Sequence, residues 1–268
     1  MLFWESGGLE AAVADTWDPD RYLTYADERG RPFADLMARV SAEPATVVDL
    51  GCGPGNLTAL LADRWPAARV VGVDRSPAMI AKAVDERITW QVADLRDWAS
   101  TAAAGSVDVL VSNATFHWVA DHLDLLAVLG RAVSPGGWFA FQVPGNFAAP
   151  SHTLGAELAA EPPYAAHTAD VEVGAAYDPA AYWRALAAEG FATDAWETTY
   201  LHVLTGPDPV FTWISGTSLR PTLAALPDDL RPAFEQELKR RLAQAFPVDG
   251  AGRVLLPFRR VFAVGHKR

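Results

Sequence analysis

The chain has 268 residues, half of them hydrophobic, which is enough for a sizeable core in one α/β unit. Its 22 lysines and arginines against 33 aspartates and glutamates give a formal net charge of −11, which argues against nucleic acid or an anionic membrane as the main partner. The single cysteine, Cys52, excludes an internal disulfide framework and a cysteine-rich zinc cluster, and fits a reducing compartment.

Residues 1–16 are small and slightly acidic and are expected to form a poorly ordered tail. Met1–Gly8 lacks the basic start and apolar run of a signal peptide. No later stretch reaches the ~18 continuous apolar residues of a membrane helix, so a soluble, cytoplasmic protein is expected. Asp18-Pro19 reads as an N-cap followed by a first-turn proline, opening a helix that closes near Gly30; Pro32 starts another running to Val40. Thr46–Leu50 is a short β-branched strand ending in glycines, and Leu57–Arg64 a helix stopped by Pro66. Arg69–Asp74 forms a second strand, and Ser76-Pro77 caps the next helix. Strands follow at Ile88–Ala93 and Val107–Ser112, then a helix from Asp121 to Val133, a turn at Ser134–Gly137 and a fifth strand, Trp138–Val143. Continuous apolar strands alternating with helices predict a Rossmann-like α/β fold, a parallel sheet with helices on both faces.

Beyond Pro144 the alternation loosens. Residues 151–189 read as mostly helical with an irregular break at 162–178, Trp196–Val203 as a strand, 208–245 as helices and 253–264 as a final strand. A helical cap at about 207–246 therefore interrupts a strand pair. Residues 17–268 are expected to form a single domain, with 46–143 as its cofactor-binding half and 144–268 as the remainder.

The chemistry centres on Asp49-Leu50-Gly51-Cys52-Gly53-Pro54-Gly55-Asn56, between the first strand and its helix. Such glycines let the backbone turn sharply and approach a ligand closely. Asp74 ends the next strand, where a carboxylate meets the ribose hydroxyls of a nucleoside, and Asp94 ends the third, where it can accept from an adenine amino group. Each can also be a simple cap for the helix or turn that follows. A dinucleotide fingerprint wants a further glycine where this chain has Asn56, and the acidic Asp49 suits a cation better than a pyrophosphate. S-adenosylmethionine, with its sulfonium and amino groups, is favoured over a nicotinamide dinucleotide, which remains the alternative.

The run Val47–Gly55 resembles the first motif of the class I S-adenosylmethionine-dependent methyltransferases. The chain is similar in particular to the trans-aconitate 2-methyltransferase family, through Trp17–Leu23, Arg64–Arg69, Asp74–Ile80, Asp94–Trp98, Ser112–Trp118, Trp196–His202 and Pro257–Phe262. The resemblance implies that Gly51, Gly53 and Gly55 wrap the methionine part of the cofactor, Asp74 holds the ribose, Asp94 with Leu95 the adenine, and Asn113 lies beside the methionine part. It also implies methyl transfer to a carboxylate, with S-adenosylhomocysteine as the other product.

A carboxylate acceptor is ionised at neutral pH and needs no general base, only donors that hold it. The Trp118 indole N–H donates without accepting, and His117 can add a second donor; a core aromatic role is the competing reading for Trp118. A polycarboxylate also needs arginines or several neutral donors. Candidates are Arg31, Arg220 and one of Arg259 and Arg260, since strand alternation turns only one of that pair inward; the resemblance points to Arg260. Tyr22, Tyr200 and His202 can supply neutral donors, whereas His152 and His167 have no spacing that suggests a metal, and none is expected.

Overall fold

The structure is a computed structural model that describes residues 26–268, with side chains from Gly30 onward. Helix α1 (Ala26–Met37) runs straight through Gly30 and Pro32, correcting the expected break there. Pro32 forfeits one helical hydrogen bond, but Phe33, Leu36, Met37 and Val40 recur at helical spacing and are all buried, and that apolar stripe wins. The N-cap expected at Asp18, the tail over 1–16 and Tyr22 lie outside the described residues.

Five strands, β1 (Thr46–Leu50), β2 (Arg69–Asp74), β3 (Ile88–Val92), β4 (Val107–Asn113) and β5 (Val133–Pro144), pair in parallel. Between them run α2 (Asn56–Arg64), the short α3 (Pro77–Ile80), α4 (Leu95–Thr101) and α5 (His122–Ala132). Ser76 caps α3 as expected, accepting from the Met79 amide. With β6 (Phe191–Leu204) and β7 (Val254–Lys267), the strand order is β3-β2-β1-β4-β5-β7-β6. The order reverses at β1, so the crevice beyond its carboxyl end, between β2 and β4, is where an open α/β sheet binds ligands.

Val47, Leu50, Val73, Val109, Leu110 and Val111 are buried completely, the signature of strands covered on both faces. The Ser134–Gly137 segment does not precede β5 but is a bulge inside it: Val107 faces Val133, whereas Val109 already faces Trp138. Gly136 supplies a φ of +77°, and Asp108 pins the bulge, accepting from the Ser134 hydroxyl and from the Ala45 and Thr46 amides.

The described residues fall into two compact units. The first comprises residues up to Val143 with Tyr177–Trp196 and Val261–Arg268; the second comprises Pro144–Ala176 and Glu197–Arg260. The first unit includes α8 (Pro179–Ala188) and a stack of Trp196 on Phe262, 4.8 Å apart and 3° from parallel. The second holds α6 (Pro150–Ala159), α7 (Ala165–Thr168), α9 (Pro209–Ser215), α10 (Arg220–Ala225) and α11 (Arg231–Ala245). Its core gathers Leu158, Leu219, Phe234 and Leu238. Helices α9 to α11 lie between β6 and β7 in the chain, as expected of an inserted cap, while β6 starts earlier than expected, at Phe191.

Candidate active site

The glycine loop is an extension of the sheet. Gly51 N–H and Cys52 N–H both donate to Val73 O, at 2.7 and 3.0 Å, so the loop leaves β1 still tied to β2. Gly51 has φ +75°, and a Cβ there would run into the Thr115 side chain. Gly55 caps α2 at φ +83°, where a Cβ would enter the Trp90 ring, which lies across Gly55 and Gly72. Only glycine meets both demands, a left-handed backbone and no side chain.

Asp74 braces this loop. Its Oδ2 accepts from Gly53 N–H at 2.9 Å and its Oδ1 from Ser76 N–H at 2.8 Å. Burial raises its pKa, against the pull of those two amides and of Arg75. Asp49 lies deeper, 2% exposed, with Oδ2 accepting from the Thr58 hydroxyl at 2.6 Å and Oδ1 lacking any hydrogen-bond partner. Burial pushes Asp49 up to about 6, with the Thr58 hydrogen bond opposing and the charge of Asp74 adding to the rise. The Cys52 thiol is held protonated, first by burial and then by the charges of Asp49 and Asp74. Burial first, and then the charge of Asp74 on Asp49 and of both carboxylates on Cys52, thus oppose ionisation here, an arrangement that a cation relieves. The bare Asp49 oxygen is the atom for which a positive ligand is the natural complement, so the donor set fits the sulfonium and ammonium of S-adenosylmethionine.

The other expected cofactor residues occupy the same edge. Asn113 ends β4, nearly buried, with Oδ1 accepting from Gln142 Nε2 at 2.7 Å. Gln142 faces it in the β4–β5 register. Asp94 does not end β3, which stops at Val92; it is the N-cap of α4 and accepts from Arg96 N–H at 2.8 Å. Leu95 is buried at the start of that helix. The capping preference of Asp accounts for Asp94's backbone bond, and its second oxygen is the part left for a ligand.

Ala114, directly after β4, sits at φ +54°, a strained conformation for a residue with a side chain. Thr115 follows, its hydroxyl donating to Gly51 O and Asn113 O at 3.3 and 3.2 Å. The 3-10 turn Phe116–Trp118 comes next. Phe116 is fully buried against Phe139 and Phe141. His117 is 7% exposed and Trp118 half-buried, their rings 4.6 Å apart. The structure thus brings Asp49, the glycines, Asp74, Asn113, His117 and Trp118 to the carboxyl end of the central strands.

Arg31 lies on the exposed face of α1. Tyr200, Arg220 and Arg260 belong to the second unit. Arg260 is 5% exposed, its guanidinium 4.7 Å over the Phe258 ring, and Tyr200 and His202 are buried. His202 packs at a tilt against Trp213 at 4.5 Å and against Phe258 at 5.3 Å. Arg259 points the other way and is bound by Glu197 at 2.6 and 2.9 Å. Arg220 starts α10, half-buried.

Strand order, glycine loop and acidic edge together define a class I methyltransferase fold. The methyltransferase domain family matches residues 25–195. Among solved structures, the YcgJ protein of Bacillus subtilis is similar at a TM-score of 0.57 and 14% identity, covering 88% of this chain and 97% of that one. Phosphoethanolamine N-methyltransferase 2 of Haemonchus contortus, solved with S-adenosylhomocysteine, is similar at a TM-score of 0.53 and 16% identity, covering 89% and 53% of the two chains. A trans-aconitate 2-methyltransferase of Streptomyces avermitilis is 48% identical, covering 96% of this chain and 98% of that protein. The chain belongs to the trans-aconitate 2-methyltransferase family. Among the described residues no helix is long and apolar enough to cross a membrane.

Proposed function

We propose that this protein transfers the methyl group of S-adenosylmethionine to a carboxylate of a small polycarboxylic acid, trans-aconitate, giving a monomethyl ester and S-adenosylhomocysteine. The observation that carries the cofactor half is Asp49 Oδ1, a buried carboxylate oxygen without a hydrogen-bond partner beneath the glycine loop. The acceptor half rests on the relative that is 48% identical over nearly the whole of both chains. The nicotinamide alternative is set aside, because two crowded carboxylates disfavour a pyrophosphate and the family is one of methyltransferases.

In this reading Gly51, Gly53 and Gly55 line the methionine part, Asp74 takes the ribose hydroxyls on the lone pairs left by its two amides, and Asp94 with Leu95 flanks the adenine. Asn113, oriented by Gln142, faces the methionine part. When bound, S-adenosylmethionine supplies an electrophilic methyl group. The chain needs no base, since a carboxylate is ionised at neutral pH; its task is to orient the acceptor and exclude water. Trp118 and His117 hold the reacting carboxylate. Arg260 and Tyr200, buried within the second unit, carry the donor types that suit a carboxylate. A cytoplasmic setting is in keeping with a single, protonated cysteine.

Radiolabelled methyl transfer to trans-aconitate, with label released by mild base, tests the proposal. Label entering other small molecules but no carboxylic acid refutes the acceptor half, and no calorimetric binding of S-adenosylhomocysteine refutes the cofactor half.

A further inference from the structure

A hydrogen-bonded chain lies behind the Phe116–Trp118 turn, built from residues that neither the cofactor nor the acceptor reading uses. His122, in the first turn of α5, is 1% exposed. Its Nδ1 lies 3.0 Å from Val119 O and its Nε2 2.8 Å from the Tyr182 hydroxyl of α8. Tyr177 N–H donates to that same hydroxyl oxygen at 3.1 Å. A carbonyl oxygen only accepts, so Nδ1 carries the proton. Burial lowers the pKa of His122, which keeps the ring neutral, so Nε2 accepts and the Tyr182 O–H donates to it. Every donor in the series, from Tyr177 N–H through Tyr182 and His122 to Val119 O, points the same way, and each bond polarises the next.

Val119 closes the turn, its N–H donating to Phe116 O at 2.9 Å. The other end is fixed by Thr115, bonded to Gly51 O and Asn113 O. Phe116 stacks on His122 at 6.5 Å and 16°. His117 and Trp118 therefore sit between two anchors, one on the glycine loop and one on His122.

We propose that His122 and Tyr182 are positioning residues for the acceptor: through the Val119 carbonyl they set the direction of Trp118 and His117 without touching either ligand. The proposal rests on the reading of Trp118 as an acceptor donor. Protonation of Nε2 turns it into a donor to the Tyr182 oxygen and turns the Tyr182 O–H away from the ring, reversing that one bond while Nδ1–H still donates to Val119 O. The groups facing His122 are Asp121 at its own helix cap, which favours protonation, and Tyr182 and Tyr177 from the α8 side.

The test compares full-length Tyr182→Phe, His122→Asn, His122→Leu and Trp118→Phe in trans-aconitate methylation and in S-adenosylhomocysteine titration. Tyr182→Phe is expected to lower acceptor kcat/KM about tenfold, the weight of one buried hydrogen bond, with cofactor Kd unchanged. Its acid limb moves to higher pH, because the donor that favours a neutral ring is gone. His122→Asn, which keeps a donor at the Nδ1 position, retains more activity than His122→Leu. Nitrogen-15 spectra of the wild-type ring are expected to show the Nδ1–H tautomer whether or not a variant folds. The Nε2–H tautomer, an unmoved acid limb, or cofactor affinity falling in step with acceptor kinetics overturns the proposal. If Trp118→Phe cripples acceptor turnover and Tyr182→Phe does not, this proposal falls alone; if Trp118→Phe itself changes nothing, the acceptor reading falls beneath it.

Discussion

Replacing Asp49 by Asn removes a buried charge while keeping an oxygen for the Thr58 hydroxyl, and the structure sets the size of the effect. In the free protein Asp49 titrates at about 6, raised from 3.8 mainly by burial. A cation bound against its bare oxygen favours the ionised form, so binding and protonation of Asp49 oppose each other. With the free-protein pKa near 6, cofactor affinity falls about tenfold between pH 7 and pH 5. Folding responds in the opposite sense. The folded state holds the proton more tightly than the unfolded chain, so the Asp49 contribution favours folding below pH 3.8 and is lost as pH rises through 6, by up to about 3 kcal/mol. Calorimetric titration of S-adenosylhomocysteine from pH 5 to 8, on wild type and Asp49→Asn, measures this directly. The variant is expected to bind more weakly at pH 7.5 and to show a shallower slope. Wild-type affinity that is flat or rising toward pH 5, or an identical slope in the variant, refutes the reasoning.

Gly51→Ala combines a φ of +75° with a clash against Thr115 and is expected to abolish measurable cofactor binding and lower the melting temperature, read by thermal unfolding with and without S-adenosylhomocysteine. Ala114→Gly relieves the +54° backbone and should stabilise the free protein by up to about 1 kcal/mol, seen as a rise in denaturant midpoint, while raising the acceptor KM as Trp118 loosens. Arg260→Ala is expected to raise the acceptor KM with cofactor Kd unchanged, whereas Arg259→Ala, which breaks the pair with Glu197 and a hydrogen bond to Gly145 O, leaves acceptor kinetics within about twofold.

The parallel half of the sheet was legible because its signals are local. Thr46–Leu50 and Arg69–Asp74 are β-branched runs bounded by glycine and proline, and the structure places both strands at those residues. Pro32 misled because its local penalty is small beside the burial of Phe33 and Leu36, which only tertiary packing reveals. Ser134–Gly137 has turn composition, yet Asp108, distant in sequence, holds it inside a strand. The same limit applies at the site. Gly51 and Asp74 stand out by motif, whereas Thr58, Thr115, Gln142 and His122 act through partners 2 to 64 residues away, and no spacing rule announces such pairs. Strand alternation admits only one of Arg259 and Arg260 and the resemblance favours Arg260, but its burial over Phe258 needed the fold.

Cys52 is the only cysteine in the chain, 8% exposed, in the middle of the glycine loop. Since alkylating reagents attack the thiolate, and burial with two neighbouring carboxylates withholds it, the folded protein should resist them. Labelling can then proceed only when the loop lifts off Val73, which makes Cys52 a built-in reporter of that opening. The rate of its modification under native conditions would clock how often the loop breathes, and how far a bound ligand quiets it, with no engineered probe.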